Sequence, residues 1–267
     1  MDMISGETII SKKPYISKGP KCYNFNSNFY MERETFVFFD IDNTLVRGFS
    51  ILPFAQFLTE RGLFHQDSYE KMLADFACYS DKKLDYREFA ITIVDQYSEG
   101  LRGYRQEDIE SASQEYLTIY LTNLLPFSRE LVELMNSQGK TVALSGAPKE
   151  AFIPLAQVLR IQQCYLLEAE VQNGIYTGKT GVNMALDTQK AQVIAQIKES
   201  GFNPLQSFAF GDSEHDLPLL ESVSNPFAVS PNEELSRIST ERGWPIVSTD
   251  NIIDQVKMRL EQLKSPA

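Results

Sequence analysis

Residues 36–46 read FVFFDIDNTLV, and this segment indicates both a strand and a site. The continuous apolar run FVFF predicts a short strand buried on both faces, as in a parallel sheet. The strand ends in two carboxylates, Asp40 and Asp42, which stand two positions apart. Because burying charge is costly unless something compensates it, this pair predicts a functional site at the end of the strand.

Downstream of residue 125, helical and strand patterns alternate. Apolar runs such as KTVALSG, SFAFGD and NPFAVS predict strands, and segments with apolar residues at three- and four-residue spacing predict helices between them. Asn173-Gly174 predicts the turn of a β-hairpin, and Gly139 is expected to cap the helix that begins near Ser128. The alternation predicts an α/β fold with a doubly wound, Rossmann-like parallel sheet covered by helices on both faces.

Two other segments differ from this pattern. Residues 49–125 carry several amphipathic helical patterns with few strand-like runs, so they predict a helical insertion directly after the first strand. Residues 1–34 are rich in Lys, Pro, Gly, Ser and Asn, and are expected to form an irregular N-terminal extension. The expected organisation is therefore this extension, a core of residues 35–48 and 126–267, and a helical domain of residues 49–125.

Composition narrows the classes of partner. The chain has 267 residues, 43% of them hydrophobic, and a formal net charge of −11. Such an acidic chain repels nucleic acid and anionic membranes, so neither is expected as a partner. Cys22, Cys78 and Cys164 lack metal-ligand spacing, and no secretory signal or membrane-spanning run of about 20 apolar residues is present, which predicts a cytoplasmic protein with reduced thiols.

Reactive residues follow three of the predicted strands. Asp40, Ser145 and Asp212 end these strands, and Asp42 and Asp216 lie close behind. Since ligands of open α/β sheets bind beyond the carboxyl ends of the strands, these side chains are expected to converge. Carboxylates at this density repel one another, and a hard divalent cation such as Mg²⁺ would relieve the repulsion.

The same edge offers groups for an anionic substrate. Lys190 begins a predicted helix and supplies positive charge, with Lys179 as a rival candidate. Ser145 and the amides of Gly146 and Ala147 supply hydrogen-bond donors at a helix N-terminus, where phosphate binds readily. Metal, lysine, donors and a free carboxylate together favour phosphoryl transfer through an aspartyl phosphate.

Four segments resemble, in order, the motifs of the haloacid dehalogenase superfamily of phosphatases: DIDNT (40–44), SGAP (145–148), Lys190 and GDSEHD (211–216). The resemblance covers roughly residues 35–250, and the helical insertion after the first motif resembles a type-1 cap. The C-terminal part is similar to subfamily IB, the phosphoserine-phosphatase-like group that includes histidinol-phosphatases.

The resemblance implies a role for each catalytic residue. Asp40 is expected to attack phosphorus, and Asp42 to protonate the leaving oxygen and then activate water as general acid and base. Ser145 is expected to bind a phosphoryl oxygen, and Lys190 to neutralise charge between nucleophile and phosphate.

The resemblance also implies a metal site and substrate contacts. Mg²⁺ is expected to bind the side chains of Asp40 and Asp212 and the carbonyl of Asp42, with Asp216 orienting metal-bound waters or Lys190. The residues expected to contact substrate are Thr44, Gly146, Arg47 and His215.

His215 stands where phosphoserine phosphatases commonly carry Asn, so the resemblance does not fix phosphoserine as the substrate. The arginines of the helical insertion are open candidates for binding a substrate carboxylate or a second phosphate: Arg61, Arg87, Arg102 and Arg105.

The function favoured by these residues is Mg²⁺-dependent hydrolysis of a small phosphorylated metabolite, a phosphomonoester, through an aspartyl phosphate. Two alternatives stay open. One is a phosphotransferase that passes the phosphoryl group to an acceptor alcohol. The other is a non-catalytic phosphate-binding or regulatory protein. The sequence does not fix the oligomeric state.

Overall fold

A computed structural model describes residues 33–264 of the chain. The predicted N-terminal extension, and Cys22 within it, therefore lie almost wholly outside the described residues. The strands are β1 Phe36–Phe39, β2 Lys140–Pro148, β3 Gln163–Gln172, β4 Ile175–Val182, β5 Phe208–Gly211, β6 Asn225–Val229 and β7 Ile246–Val247. The helices are α1 Ile51–Glu60, α2 Gln66–Ser80, α3 Tyr86–Gly100, α4 Gln106–Thr122, α5 Ser128–Asn136, α6 Lys149–Leu159, α7 Asp187–Glu199, α8 Leu217–Leu220, α9 Glu233–Arg242 and α10 Ile252–Lys264.

The strands form one mostly parallel sheet with the order β4-β3-β2-β1-β5-β6-β7. β1 lies at the centre, parallel to β2 on one side and to β5 on the other. Only β4 is antiparallel to its neighbour among the described pairs, because it forms a hairpin with β3. This topology confirms the predicted doubly wound parallel sheet.

Both faces of the sheet are buried at β1, as its unbroken apolar run predicted. Val37 and Phe39 pack into one core cluster, and Phe36 and Phe38 pack into a second cluster with residues of α7 and α8. All four side chains are at most 2% exposed. Alternate residues of a strand point to opposite faces, so each face of β1 contributes to a different core.

The predicted helices of residues 49–125 are present as α1–α4, here called the inserted helices. Asp85 caps α3, because its side chain accepts a hydrogen bond from the Glu88 amide. The chain enters and leaves the inserted helices through adjacent segments: the Arg47 amide donates to the Asn123 carbonyl over 2.8 Å, and the Leu125 amide donates to the Leu45 carbonyl over 3.0 Å.

Turn chemistry explains the hairpin, whereas one predicted cap is wrong. Asn173 and Gly174 have φ of 53° and 77°, the left-handed pair that a tight two-residue hairpin turn requires. Gly139, by contrast, does not cap α5, because the helix ends at Asn136 and Ser137 is its C-cap. A Cβ at Gly139 would lie 2.4 Å from the Thr35 carbonyl oxygen, so this glycine permits a close backbone approach instead.

Among the described helices, none combines the length and the apolar character needed to cross a membrane. Cys78 and Cys164 are free thiols.

Candidate active site

The central strands bring the predicted site residues to one edge of the sheet. Asp40 directly follows β1, and its amide donates to the Phe210 carbonyl of β5 over 3.0 Å. Asp212 follows β5, and Ser145 lies in the carboxyl half of β2. Because β2, β1 and β5 are parallel neighbours, their carboxyl ends lie side by side. The predicted convergence of Asp40, Ser145 and Asp212 is therefore present.

Lys190 bridges two buried carboxylates. Its Nζ lies 2.9 Å from Asp40 Oδ1 and 2.6 Å from Asp216 Oδ1, and all three side chains are at most 8% exposed. Burial alone would lower the pKa of Lys190, but the Asp216 and Asp40 carboxylates raise it, so the ammonium stays protonated. The structure thus places Lys190, and not the exposed Lys179, beside Asp40.

Backbone amides hold the second carboxylate oxygen of Asp216, the one that does not contact Lys190. Asp216 Oδ2 accepts hydrogen bonds from the amides of Asp212 and Ser213 over 3.1 and 3.2 Å. The strand passes close to this carboxylate at Gly211, where a Cβ would lie 2.5 Å from Asp216 Cβ. Glycine at position 211 therefore lets the two segments touch, and Asp216 cannot turn freely.

Three carboxylates form a group that suits a divalent cation. One oxygen each from Asp40, Asp212 and Asp216 lies within 4.8 Å of the others. Burial raises the pKa of Asp40 to about 7 and that of Asp212 well above its usual range. Lys190 supplies one positive charge against these three carboxylates, so negative charge is left uncompensated. Oxygen donors with excess negative charge fit Mg²⁺, which would lower these pKa values.

The carboxylate of Asp42 is turned toward the start of α1. Its Oδ2 accepts hydrogen bonds from the Ser50 amide over 3.1 Å and from the Ser50 hydroxyl over 3.2 Å. Its Oδ1 is buried and has no hydrogen-bond partner among the described residues. Burial raises the pKa of Asp42 to about 6, although the Ser50 bonds oppose that shift. The side chain of Asp42 is not part of the carboxylate group of Asp40, Asp212 and Asp216.

The loop after β1 is held by its own side chains. Asn43 has a φ of 61°, a left-handed conformation that Asn tolerates better than most residues. Its Oδ1 accepts a hydrogen bond from the Gly48 amide over 2.9 Å. Thr44 is fully buried, and its hydroxyl donates to Asp212 Oδ1 over 3.4 Å. Thr44 therefore contacts a metal-ligand candidate and is not among the residues that line the cavity.

Ser145 and Gly146 lie at the opposite side of Asp40 from the Asp212 segment. Ser145 is 1% exposed, and its hydroxyl accepts a hydrogen bond from the Ala147 amide over 3.3 Å. Gly146 packs against Ala185: a Cβ at position 146 would lie 2.7 Å from Ala185 Cβ. The backbone here is consequently kept close to the loop that precedes α7.

A cavity of about 270 Å³ lies beside these residues. Its polar side includes Asp40, Asp42, Ser145, Gly146, Lys190, Asp212, Asp216 and His215. The His215 ring stacks on Tyr86 of α3 with 3.5 Å between ring centroids and 9° between planes. Burial lowers the pKa of His215, which favours the neutral imidazole. His215 thus joins the sheet edge to the inserted helices.

Arg47 and the arginines of the inserted helices are not in the cavity lining. Arg47 is exposed at the start of the connection to α1. Arg61 pairs with Glu115 and Arg102 with Glu99. Arg105 pairs with Glu107 and Asp108. Arg47, an expected substrate contact, therefore does not lie with the other site residues around Asp40.

Sequence reasoning missed two contacts of the site. Ser50 donates a hydrogen bond to Asp42 from its hydroxyl. Its place before an amphipathic helix suggests only an N-cap, but its side chain makes no capping hydrogen bond. Tyr86 stacks on His215 and donates from its hydroxyl to the Ala185 carbonyl over 3.1 Å. No local pattern marks Tyr86, because its partners lie far away in the chain.

The amino-acid sequence is similar to those of known proteins. The family model described as haloacid dehalogenase-like hydrolase matches residues 37–221. A histidinol-phosphatase of Neisseria meningitidis serogroup C is 28% identical over 218 residues, which cover 79% of this chain and 96% of that protein. A phosphoserine phosphatase of Mycobacterium tuberculosis is 27% identical over 215 residues, which cover 78% of this chain and 69% of that protein.

Solved structures share the fold. A protein of unknown function from Bordetella pertussis Tohama I superposes with a TM-score of 0.67 at 20% identity, covering 81% of this chain and 99% of that one. A substrate-bound phosphoserine phosphatase superposes with a TM-score of 0.55 at 18% identity, covering 77% of this chain and 90% of that one. At these identities the structural similarity concerns the arrangement of strands and helices.

Proposed function

Because the chain belongs to the haloacid dehalogenase-like hydrolase family, we propose that it hydrolyses a small phosphomonoester through an aspartyl phosphate on Asp40, with Mg²⁺ as cofactor. The observation that carries the proposal is the position of Asp40. Its carboxylate ends the central strand, lies 2.9 Å from the Lys190 ammonium and shares a carboxylate group with Asp212 and Asp216. This arrangement supplies a nucleophile together with the positive charge that a phosphoryl group requires.

The first half-reaction forms a bond to Asp40. A carboxylate oxygen of Asp40 attacks phosphorus while the bond from phosphorus to the leaving oxygen breaks. Asp42 donates a proton to that oxygen, so the leaving group departs as an alcohol. Lys190 compensates the negative charge of the phosphoryl oxygens beside Asp40.

The second half-reaction restores the enzyme. Water attacks phosphorus, Asp42 takes one of its protons, and the bond between phosphorus and Asp40 breaks to release inorganic phosphate. Oδ1 of Asp42 suits the proton transfers, because it lacks a hydrogen-bond partner among the described residues while Oδ2 is held by Ser50.

The neighbouring donors fit a phosphoryl group. The Ser145 hydroxyl and the Gly146 amide belong to residues that line the cavity next to Asp40. They are expected to donate hydrogen bonds to phosphoryl oxygens. The Asp40 and Asp212 side chains, with the Asp42 carbonyl, would hold Mg²⁺, which would supply electrostatic stabilisation of the phosphoryl group when bound.

Residues 49–125 are further proposed to act as a cap on a core formed by residues 35–48 and 126–267. The inserted helices contribute one side of the cavity, and both connections to the core run side by side at Arg47 and Asn123. A cap in this position would exclude water from the phosphoryl group during attack by Asp40.

The test is phosphate release from a panel of small phosphomonoesters, including phosphoserine, histidinol phosphate and phosphocholine, with Mg²⁺ and with EDTA. The wild-type protein is expected to release phosphate only with the metal, and Asp40→Asn to lose release by at least about 10³-fold, because the nucleophile is gone. Substantial turnover by Asp40→Asn would contradict the assigned nucleophile.

The exposed Asp250 offers a matched control. Asp250→Asn makes the same chemical change outside the cavity and is expected to keep wild-type turnover. Added acceptor alcohols separate hydrolysis from transfer, since a phosphotransferase would yield new phosphate esters in place of inorganic phosphate.

A further inference from the structure

The cavity beside Asp40 has two chemically different sides. The polar side carries the charged residues that follow the strands. The other side comes from the segment that contains the inserted helices. We call its lining the apolar wall, and its principal members are Phe49, Ile51, Tyr79, Tyr86, Phe89 and Ile93. Phosphate belongs at the polar side if the proposed function holds, so the apolar wall is left to contact the leaving group.

The apolar wall carries no charged side chain among the residues that the structure describes. Its rings pack on one another: Tyr79 stacks on Phe89 with 4.4 Å between centroids, and Phe49 meets Phe89 edge-on at 6.2 Å. Burial raises the pKa of Tyr79 and of Tyr86, so both hydroxyls stay neutral. A buried carboxylate placed against this wall would find no ion-pair partner there.

The cationic side chains near the cavity either lie outside its lining or are already paired with carboxylates. Within residues 33–264, no arginine lines the cavity, and the only lysine that lines it is Lys190, which already bridges Asp40 and Asp216. Arg61 and Arg102, in the inserted helices, are paired with glutamates. The lining contains four aspartates and one lysine, so its acidic side chains outnumber its basic ones.

We propose that the leaving group of the substrate is small, carries no carboxylate or second phosphate, and contacts the apolar wall through a ring or hydrocarbon portion. The cavity of about 270 Å³ falls just below the roughly 300–1,000 Å³ of pockets for drug-sized ligands, which limits the leaving group to a small one. This inference rests on the proposed function and narrows its substrate class. It excludes phosphoserine, whose leaving group carries a carboxylate.

The experiment compares two non-hydrolysable ligands that differ by one group. Benzylphosphonate and 4-carboxybenzylphosphonate are titrated into the wild-type full-length protein with Mg²⁺ by isothermal titration calorimetry. The carboxylated ligand is expected to bind at least about 30-fold more weakly, because its second charge is buried without a partner. Equal affinities, tighter binding of the carboxylated ligand, or no binding of either at millimolar concentration would overturn the inference.

Two arginine variants test whether the apolar wall causes the discrimination between the two phosphonates. Ile93→Arg places a guanidinium in the cavity lining, and Ile91→Arg places the same group on the same helix at a residue that is 39% exposed. Ile93→Arg is expected to reduce the discrimination between the two phosphonates at least about fivefold, and Ile91→Arg to leave it unchanged. Tyr79→Arg, at a half-buried position of the wall, serves if Ile93→Arg does not fold. An unchanged ratio in folded Ile93→Arg and Tyr79→Arg would contradict the assigned wall.

Turnover separates this inference from the proposed function. Benzyl phosphate and 4-carboxybenzyl phosphate are assayed in parallel with the same protein. Hydrolysis of both with equal kcat/KM overturns the leaving-group inference and leaves the phosphatase standing. If the protein binds benzylphosphonate more tightly than 4-carboxybenzylphosphonate but hydrolyses no phosphate ester, the proposed function is overturned. The inference that the cavity disfavours a carboxylate then stands.

Discussion

Lys190 shows how one residue can join structure to chemistry. Its ammonium is buried between Asp40 and Asp216 at 2.9 and 2.6 Å. A buried ion pair need not stabilise a fold relative to apolar residues, but removal of one partner leaves the other charge buried alone. In this site one partner is the proposed nucleophile, so the ammonium that is proposed to compensate substrate charge also neutralises buried carboxylates of the fold.

Replacement of Lys190 is expected to expose this coupling. Lys190→Met should lower the free energy of unfolding by about 3–5 kcal/mol without metal, because Asp40 and Asp216 lose their buried counter-charge. Mg²⁺ stabilises the folded state when it binds only that state. It should raise Tm more in the variant than in the wild type, because the carboxylates of the variant lack the charge of Lys190. Thermal denaturation with EDTA and with MgCl₂ measures both effects.

Lys198 provides the control, as an exposed lysine on the same helix. Lys198→Met should change neither stability nor the Mg²⁺ shift by much. If Lys190→Met is as stable as Lys198→Met in EDTA, the buried charges are compensated by some other group, and the role given to Lys190 is wrong.

The contact between Ser50 and Asp42 links the loop after β1 to the start of α1. Ser50 immediately precedes the first inserted helix and donates two hydrogen bonds to Asp42 Oδ2. The proposed acid and base is therefore held by a residue outside the sheet. Its orientation depends on where α1 begins, and not on β1 alone.

At the scale of elements, Glu150 ties three of them together. It lies in the first turn of α6 and accepts hydrogen bonds from Tyr97 of α3 over 3.1 Å and from Tyr176 of β4 over 2.9 Å. Burial raises its pKa above the usual value, although both tyrosines and Lys149 oppose the shift. The contact holds an inserted helix against the hairpin and the sheet.

This shift predicts a pH-dependent stability. A carboxyl whose pKa is higher in the folded state stabilises the fold fully at pH below its unfolded pKa, and that stabilisation is lost as pH rises through the folded pKa. Relative to Glu150→Gln, the wild type should therefore lose stability as pH rises above about 4.3. Urea denaturation of both proteins across a pH series measures the difference.

Glu233 is a matched control, because it also lies in the first turn of a helix but is exposed. Glu233→Gln should show no such divergence from the wild type over the same pH range. A wild type that gains stability over Glu150→Gln as pH rises would show that the carboxylate form is favoured in the fold, contrary to the raised pKa.

At the scale of the whole molecule, the proposed cap depends on the connection between the core and the inserted helices. Gly48 lies on this connection with a φ of 76°, and its amide donates to Asn43 of the loop that follows β1. If residues 49–125 act as the proposed cap, their movement relative to Asp40 requires a change of backbone conformation in this connection. The proposed cap therefore predicts that Gly48 affects turnover beyond its effect on stability.

Gly103 allows this effect to be isolated. It has a φ of 83°, and a Cβ at either glycine would meet no atom within 4 Å. Gly48→Ala and Gly103→Ala should each cost about 1–2 kcal/mol of stability from left-handed strain. Only Gly48→Ala should change kcat, because Gly103 is away from the connection. Equal kcat in the two variants, measured by phosphate release, would argue against hinge motion at Gly48.

The sheet, and the side chains that gather at its edge, were largely predictable from the sequence. Apolar runs and their spacing follow from burial alone, so FVFF, the hairpin turn at Asn173-Gly174 and the carboxylates after β1 and β5 were predictable from local pattern. The gathering of Asp40, Ser145 and Asp212 also followed, because parallel neighbouring strands end at one edge.

Contacts between side chains that lie far apart in the chain were not predictable from the sequence and follow from the packing of the fold. Lys190 rather than Lys179 reaches Asp40, Ser50 holds Asp42, and Tyr86 stacks on His215. Likewise, Arg47 carries the right charge for a substrate contact but is not brought to the cavity. Sequence pattern records periodicity along the chain, whereas these contacts depend on how the inserted helices pack against the sheet, which no local spacing encodes.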